Sequence, residues 1–156
     1  MRKRMIQEVR QTPLPPEQDW LNVEDLAEVE ITSEDPAHPI ESALLPGAGP
    51  GWRAAEPGTQ TVRLLFDRPQ RLRWIRVHFS EAEAERTQEY VLRWSPDRAQ
   101  SFRDIVRQQW NFGPNATVET EDYRVDLAGV TVLELSITPD IGGGRALASL
   151  AQMRLA

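Results

Sequence analysis

The 156-residue chain contains no cysteine. This absence excludes a disulfide framework, a thiolate zinc site and a thiol nucleophile, and it is typical of a protein in a reducing compartment. Histidine is also scarce, because His38 and His78 are the only two in the sequence. A catalytic triad or a histidine metal site therefore has few possible centres.

The chain has no hydrophobic run of membrane-spanning length. Its basic N-terminal segment, MRKRMIQEVR, is followed by QTPLPPEQDW, which has neither an apolar stretch nor a small-residue cleavage site. This pattern does not match a secretory signal peptide. The sequence therefore predicts a cytoplasmic protein without membrane insertion.

Positive charge is in deficit, since the formal net charge is -6 and the isoelectric point is about 5.0. Proteins that bind a phosphate backbone normally carry the opposite balance. We therefore expect no nucleic-acid partner, although the abundant arginines could line a local site.

Twelve prolines divide the chain into many short elements. Between them, apolar and polar residues alternate with the period of two that is typical of strands with one buried face. EYVLRWS, for example, directs Tyr90, Leu92 and Trp94 inward, which makes Trp94 a structural residue. Eight such segments predict an all-β sandwich: AEVEIT at 27–32, VRLLF at 62–66, LRWIRVHF at 72–79, EYVLRWS at 89–95, FRDIVRQQW at 102–110, DYRVDL at 122–127, VTVLELSI at 130–137 and ASLAQMRLA at 148–156.

Helices have little support in the sequence. IESALL at 40–45 is the best candidate and EAEAER at 81–86 a weaker one. Residues 1–26 are predicted to form an extended N-terminal arm, because the prolines of QTPLPPEQ disfavour a regular strand. Trp20 could dock this arm onto the domain of residues 27–156, where Trp74 is the surface that we expect the arm to cover.

The order of the strands also predicts where the loops lie. If successive strands alternate in direction, the connections after the first, third, fifth and seventh emerge at one end of the sandwich. They are long, covering residues 33–60, 80–88, 111–122 and 138–146, whereas the connections at the opposite end are short turns. Long loops on a rigid scaffold are the usual place for function, so we expect a binding site at the long-loop end.

A resemblance to a known family rests on the order of several segments. VEITSEDPAHPIESALL, GWRAAEPGTQTVRLLFDRPQRLRWIRVHF, EYVLRWSPD, DYRVDL and ASLAQMRL follow one another as in a discoidin domain, the C-type domain of coagulation factors V and VIII. The resemblance covers roughly residues 27–156 and implies an eight-stranded jelly-roll β-sandwich of the galactose-binding-like superfamily. Its members bind glycans, phospholipids or other proteins.

The resemblance has further implications for the first long loop. Many members hold a structural calcium ion there beside an Asp-Gly pair, but this chain has LLPGAGPG at 44–51, so we expect no cofactor. Trp52 occupies the place of a tryptophan that packs under this loop as a structural plug. Arg53 beside it either takes a ligand carboxylate or sugar hydroxyl, or pairs with Glu56 or Glu34.

Three of the long loops offer further candidate ligand-binding residues. Arg86 either points into the shared site with Gln88 or pairs with a nearby glutamate. Asn111 lies between Trp110 and Phe112, and an amide flanked by two rings suits a sugar. Alternatively, Trp110 ends the strand facing inward and Phe112 anchors the loop.

The fourth loop has Asp140 and Arg145 on either side of IGGG, where the glycines allow the backbone to approach a ligand or relieve a crowded turn. No Gly-Lys-Ser/Thr follows, so this is not a phosphate loop.

Catalysis has no specific support in the sequence. A triad would need Ser33 or Ser42 beside His38, and nothing in the local sequence enforces that arrangement. A metal site from Asp35, His38 and Glu41 would be unspecific, so we predict no metal ligands. We therefore expect a non-catalytic module that binds a carbohydrate or another small polar ligand at the long loops. The alternative is a protein-protein interaction module of a cytoplasmic assembly.

Overall fold

The computed structural model describes residues 20–47, 49–81 and 85–156, and strands dominate it. Two single-turn helices accompany eight strands in this part of the chain, and no helix there is long and apolar enough to cross a membrane. The predicted all-β sandwich is thereby confirmed. The elements are α1 (Val23–Leu26), β1 (Ala27–Ile31), α2 (Glu41–Leu44), β2 (Trp52–Pro57), β3 (Gln60–Ser80), β4 (Arg86–Ser95), β5 (Arg103–Phe112), β6 (Val118–Thr138), β7 (Leu147–Leu150) and β8 (Gln152–Leu155).

Two long strands, β3 and β6, organise the fold. Each has 21 residues, and they pair antiparallel from Gln60 opposite Ile137 to Ser80 opposite Val118. The prediction of two separate strands in each stretch was wrong. DRPQR and Ala128-Gly129 do redirect the chain, but both strands bend at the same level, so their pairing resumes after a local shift in register.

This shared bend produces the two layers of the sandwich. The first half of β3 and the second half of β6 lie in a layer with the order β1-β3-β6-β4-β5. The second half of β3 pairs with β8 and with the first half of β6, which form the opposing layer. A separate two-stranded sheet joins β2 to β7.

The final segment and the first long loop differ from their predictions. ASLAQMRLA contains two strands, β7 and β8, because the chain changes its pairing partner at Ala151. The backbone N–H of Ala151 donates to the carbonyl of His78 in β3 and not to β2. The strand β2 lies within residues 33–60, which were predicted to be a loop. Its side chains do not alternate with a clear apolar period, since only Trp52 and Ala54 are buried. The predicted helix at IESALL is present as α2.

The core fills the space between the two layers. The ring centroids of Phe79 in one layer and Tyr90 in the other are 5.0 Å apart. The Tyr90 hydroxyl forms a hydrogen bond with the Tyr123 hydroxyl. Leu92 is fully buried and Trp94 is 8% exposed, in line with the inward face predicted for β4. Burial of such side chains supplies about 1.5–3 kcal/mol each.

The described end of the predicted arm is attached to the domain. The backbone N–H of Leu21 donates to the carbonyl of Leu155 at 2.7 Å, and Val23 is buried. The Arg76 guanidinium lies over the Trp20 ring, 5.3 Å from the ring centroid. The Arg124 guanidinium lies over the Trp74 ring, 4.6 Å from its centroid. Residues 1–19 of the arm, and 82–84 of the second helix candidate, are outside the described residues.

Candidate functional site

The loops that follow β3, β5 and β6 meet at one end of the sandwich. The backbone N–H of Glu81, just after β3, donates to the carbonyl of Thr117, which precedes β6, at 2.7 Å. The N–H of Ile141, after β6, donates to the carbonyl of Thr87 in β4 at 2.9 Å. The strand directions therefore bring these connections together in space, as the alternation of strand directions in the sequence predicts.

A cleft of about 400 Å³ opens among these loops. Its charged side chains are three arginines and three carboxylates, so their formal charges cancel. They come from β2, from the connection between β3 and β4, from the first residue of β4, and from the connection between β6 and β7: Arg53, Glu81, Glu85, Arg86, Asp140 and Arg145. Three of the predicted ligand-binding residues, Arg53, Arg86 and Arg145, thus line one cleft.

A buried ion pair forms part of the cleft wall. The Arg86 and Glu81 side chains are 4% and 6% exposed, and their charged atoms are 2.8 Å apart. The Arg86 guanidinium also lies 5.8 Å from the Phe112 ring centroid. Burial lowers the pKa of Arg86, while Glu81 and Asp140 oppose that shift. The structure combines parts of both predicted alternatives, because Arg86 pairs with Glu81 and also lines the cleft, whereas Gln88 does not line it.

The glycine-rich loop shapes one side of the cleft. The Asp140 carboxylate accepts the backbone N–H of Gly142 at 3.0 Å, and the Asp140 carbonyl accepts that of Gly143 at 3.1 Å. Gly143 and Gly144 have φ of +87° and +99°, values that favour glycine. The turn exposes Arg145 beside the backbone of Gly143 and Gly144 at the cleft.

Arg53 is held in position by the first long loop. Its backbone N–H donates to the carbonyl of His38 at 3.2 Å, and its carbonyl accepts the N–H of Asp35 at 2.8 Å. Trp52 next to it is 1% exposed and donates its indole N–H to the carbonyl of Ser33 at 3.1 Å. Trp52 therefore lies beneath this loop, at the place predicted for the plug.

The remaining predicted ligand-binding residues are not in the cleft. Gln88 is 1% exposed and Phe112 is 3% exposed, so the interpretation of Phe112 as a ring for a ligand was wrong. Trp110 points inward with Phe112 because they are two residues apart on β5, and it packs half-buried against the core. Asn111 points to the opposite face and accepts a hydrogen bond from the Thr87 hydroxyl at 2.6 Å.

A group of buried polar atoms lies between the layers, in a position that sequence reasoning missed. Gln88 is the cross-strand partner of Trp110, and Glu119 pairs with Phe79, whose ring contacts Tyr90. Among the described residues, the Gln88 amide, the Trp110 indole N–H and both Glu119 oxygens have no hydrogen-bond partner. Alternation in VETEDYRVDL could have revealed Glu119, since it lies on the strand face of the predicted inward tyrosine.

Burial raises the pKa of Glu119 to about 7, with a further contribution from Glu121. The side chain is only 2% exposed. Near neutral pH this carboxyl group is therefore divided between its neutral and ionised forms.

Two carboxylates of the first long loop hydrogen-bond the backbone of that loop. The Asp35 carboxylate accepts the N–H of Ala37 at 2.9 Å, which is the main cause of the lowered pKa of Asp35. The Glu34 carboxylate accepts the N–H of Ile40 at 2.8 Å. Across residues 20–47, 49–81 and 85–156, no three His, Cys, Asp or Glu side chains are grouped to hold a metal ion.

No protein-family model matches the sequence, and no curated protein matches it. Solved carbohydrate-binding modules are nevertheless similar to the structure. The family 32 module of C. perfringens NanJ, in complex with galactose, has a TM-score of 0.64 and 13% identity, over 87% of this chain and 96% of that chain. The module CpGH89CBM32-5 from Clostridium perfringens, in complex with GalNAc-beta-1,3-galactose, has a TM-score of 0.63 and 18% identity, over 88% and 99%.

A third solved module has a different kind of ligand. The family 32 module of AlyQ, in complex with 4,5-unsaturated mannuronic acid, has a TM-score of 0.62 and 10% identity, over 85% of this chain and 95% of that chain. These likenesses define the fold as the galactose-binding-like β-sandwich. The resemblance to a discoidin domain is confirmed at that level.

Proposed function

We propose that the protein is a non-catalytic module that binds a carbohydrate, or another small polar ligand, in the cleft at the long-loop end. The observation that carries this proposal is the convergence of Arg53, Arg86 and Arg145 with three carboxylates in one cleft. The fold supports it, because the similar solved modules are in complex with galactose, GalNAc-beta-1,3-galactose and an unsaturated mannuronic acid.

The cleft presents complementary groups for sugar hydroxyls. Each hydroxyl both donates and accepts, so guanidinium donors and carboxylate acceptors can serve neighbouring hydroxyls of one ring. No aromatic ring is among the described residues that line the cleft. Recognition would then depend on directional hydrogen bonds with little ring stacking, and the buried Arg86–Glu81 pair would keep part of the site rigid.

The positions of the histidines and serines support a non-catalytic role. The Ser42 hydroxyl accepts the N–H of Gly51 at 3.0 Å, and the Ser33 hydroxyl donates to the Gln60 side chain at 2.6 Å. The His38 Nδ1 atom lies 3.4 Å from the Asp35 carboxylate. His78 lies on a strand and hydrogen-bonds the Thr120 hydroxyl at 2.6 Å. These serines are thus engaged in holding the backbone or a neighbouring amide.

The alternative of a protein-protein module is less favoured by the solved relatives, whose ligands are sugars. A cytoplasmic location stays part of the proposal, and fractionation of the native cells followed by immunoblotting would test it.

A glycan array probed with the wild type and with an Arg53→Gln, Arg145→Gln variant tests the binding site. A matched control, Arg103→Gln with Arg107→Gln, removes the same charge from the exposed edge of β5. We expect selective binding that the cleft variant loses and the control retains, at unchanged melting temperatures. Absence of binding to every sugar class would refute the carbohydrate reading, and equal binding by both variants would refute the location.

A further inference from the structure

A second cleft, of about 540 Å³, lies on the outer face of the layer formed by the second half of β3 and the first half of β6. It is near the shared bend, at the end of the sandwich opposite the long loops. Its volume is within the range of about 300–1,000 Å³ that is typical of small-ligand sites. Its charged and aromatic lining residues are Arg71, Arg73, Trp74, Arg124 and Asp126.

An aromatic ring and a carboxylate preorganise one of these arginines. The Arg124 guanidinium stacks over the Trp74 ring at 4.6 Å. The Trp74 indole N–H donates to Asp122 at 2.9 Å, and the same carboxylate oxygen accepts the Arg76 Nε–H at 2.9 Å. The ring that supports Arg124 is therefore fixed, and stacking leaves the N–H edge of a guanidinium available for hydrogen bonds.

Arginine side chains outnumber carboxylate side chains in this cleft. Arg71 pairs with Asp126 at 2.7 Å, and Asp126 is the only carboxylate side chain among the described residues that line it. Within the described part of the chain, Arg73 and Arg124 have no carboxylate within 4.0 Å. Two guanidinium groups of this cleft thus have no carboxylate side chain paired with them among the described residues, in a protein whose net charge is -6.

The backbone beside the cleft is already satisfied. The carbonyl of Ala156 accepts the N–H groups of Arg73 at 2.7 Å and Trp74 at 2.8 Å. A ligand would therefore interact with the side chains of Arg73 and Arg124. Guanidinium groups bind carboxylate, sulfate and phosphate through paired N–H donors, and such charge-assisted hydrogen bonds are stronger than neutral ones.

We propose that this cleft is a second binding site, specific for a small ligand that carries a carboxylate, sulfate or phosphate group. Arg73 and Arg124 bind the oxyanion, and Trp74 positions Arg124. This site is separate from the cleft at the long-loop end, because the two clefts share no lining residue.

The indole N–H signal of Trp74 in a ¹H–¹⁵N NMR spectrum, assigned with a Trp74→Phe variant, reports on this cleft directly. The probes are galacturonate, inorganic sulfate and inorganic phosphate, each titrated against sodium chloride at constant ionic strength. We expect a saturable shift of this signal with at least one probe. The strongest of the three then identifies which oxyanion the cleft prefers.

Arg73→Gln with Arg124→Gln should weaken that binding about tenfold or more, because two charge-assisted contacts are lost. The control is Arg103→Gln with Arg107→Gln. It is matched because Arg103 is stacked on a tryptophan, as Arg124 is, and Arg107 is not stacked on a tryptophan. The control should leave binding intact. A Trp74 signal that responds to no probe, or one that responds equally in both variants at matched melting temperatures, would overturn the proposal. Loss of glycan-array binding would not affect it.

Discussion

Replacing Glu119 by glutamine should stabilise the protein above neutral pH. The Glu119 carboxyl group is 2% exposed, has no hydrogen-bond partner among the described residues, and has a pKa raised from 4.5 to about 7. Because its pKa is higher in the folded than in the unfolded chain, the folded state binds this proton more tightly. The favourable contribution of the protonated group is present at low pH and is lost as the pH rises from about 4.5 through about 7.

The size of the effect follows from the difference between the two pKa values. A shift of this size corresponds to about 3 kcal/mol at full ionisation, most of which is lost between pH 5 and pH 8. Glutamine has a similar shape and does not ionise, so Glu119→Gln removes this loss. For a chain of this length, that change corresponds to about 5–10 °C in melting temperature.

Thermal unfolding of the wild type and the variant, followed by circular dichroism at pH 5, 6, 7 and 8, measures the difference. We expect the variant to differ little at pH 5 and to melt progressively higher than the wild type as the pH rises. Glu28→Gln, which removes an exposed carboxylate from β1, controls for the change in net charge. A difference between wild type and Glu119→Gln that is constant from pH 5 to pH 8 would refute the reasoning.

Three further predictions concern particular contacts. Glu134→Ala should lower the unfolding free energy by about 2–4 kcal/mol in urea titrations, because this buried carboxylate accepts hydrogen bonds from two arginines of neighbouring strands; a loss below about 1 kcal/mol would contradict this. Gly51→Ala should destabilise more than Gly58→Ala in the same assay, since both have positive φ but only at Gly51 would a Cβ lie 2.8 Å from the Leu150 carbonyl; equal losses would argue against the steric reason. Asn111→Ala should keep the glycan-array signal, because Asn111 is bonded to a neighbouring strand and lies outside the cleft, and loss of the signal would return this residue to the site.

Much of the β-sandwich was predictable, because alternation in single strands carries local information. Tyr90, Leu92 and Trp94 in β4 face inward as their spacing indicates. The unpredicted strand β2 shows where this signal fails. Only two of its side chains are buried, and it is a strand because β7 supplies hydrogen bonds to it from almost a hundred positions further along the chain.

The candidate site divides in the same way. The alternating direction of successive strands predicted that Arg53, Arg86 and Arg145 would come to one end of the molecule. The prediction holds because a strand that bends between the layers returns toward the long-loop end, as a strand after a turn does. The same period of two places Trp110 and Phe112 on one face and Asn111 on the other. Only the packing of the opposing layer decides that the ring-bearing face is the interior.

The sequence by itself thus determined the class of fold, the inward faces of its clearly alternating strands and the end at which the arginines gather. The tertiary structure decided that β3 and β6 continue through their bends and that Arg86 is paired with Glu81. It also decided that Glu119 is enclosed without a hydrogen-bond partner among the described residues. The physical reason is that periodicity depends on near neighbours in the chain. Burial, ion pairing and the gathering of Arg73 and Arg124 in one cleft instead depend on groups that only the packed layers bring together.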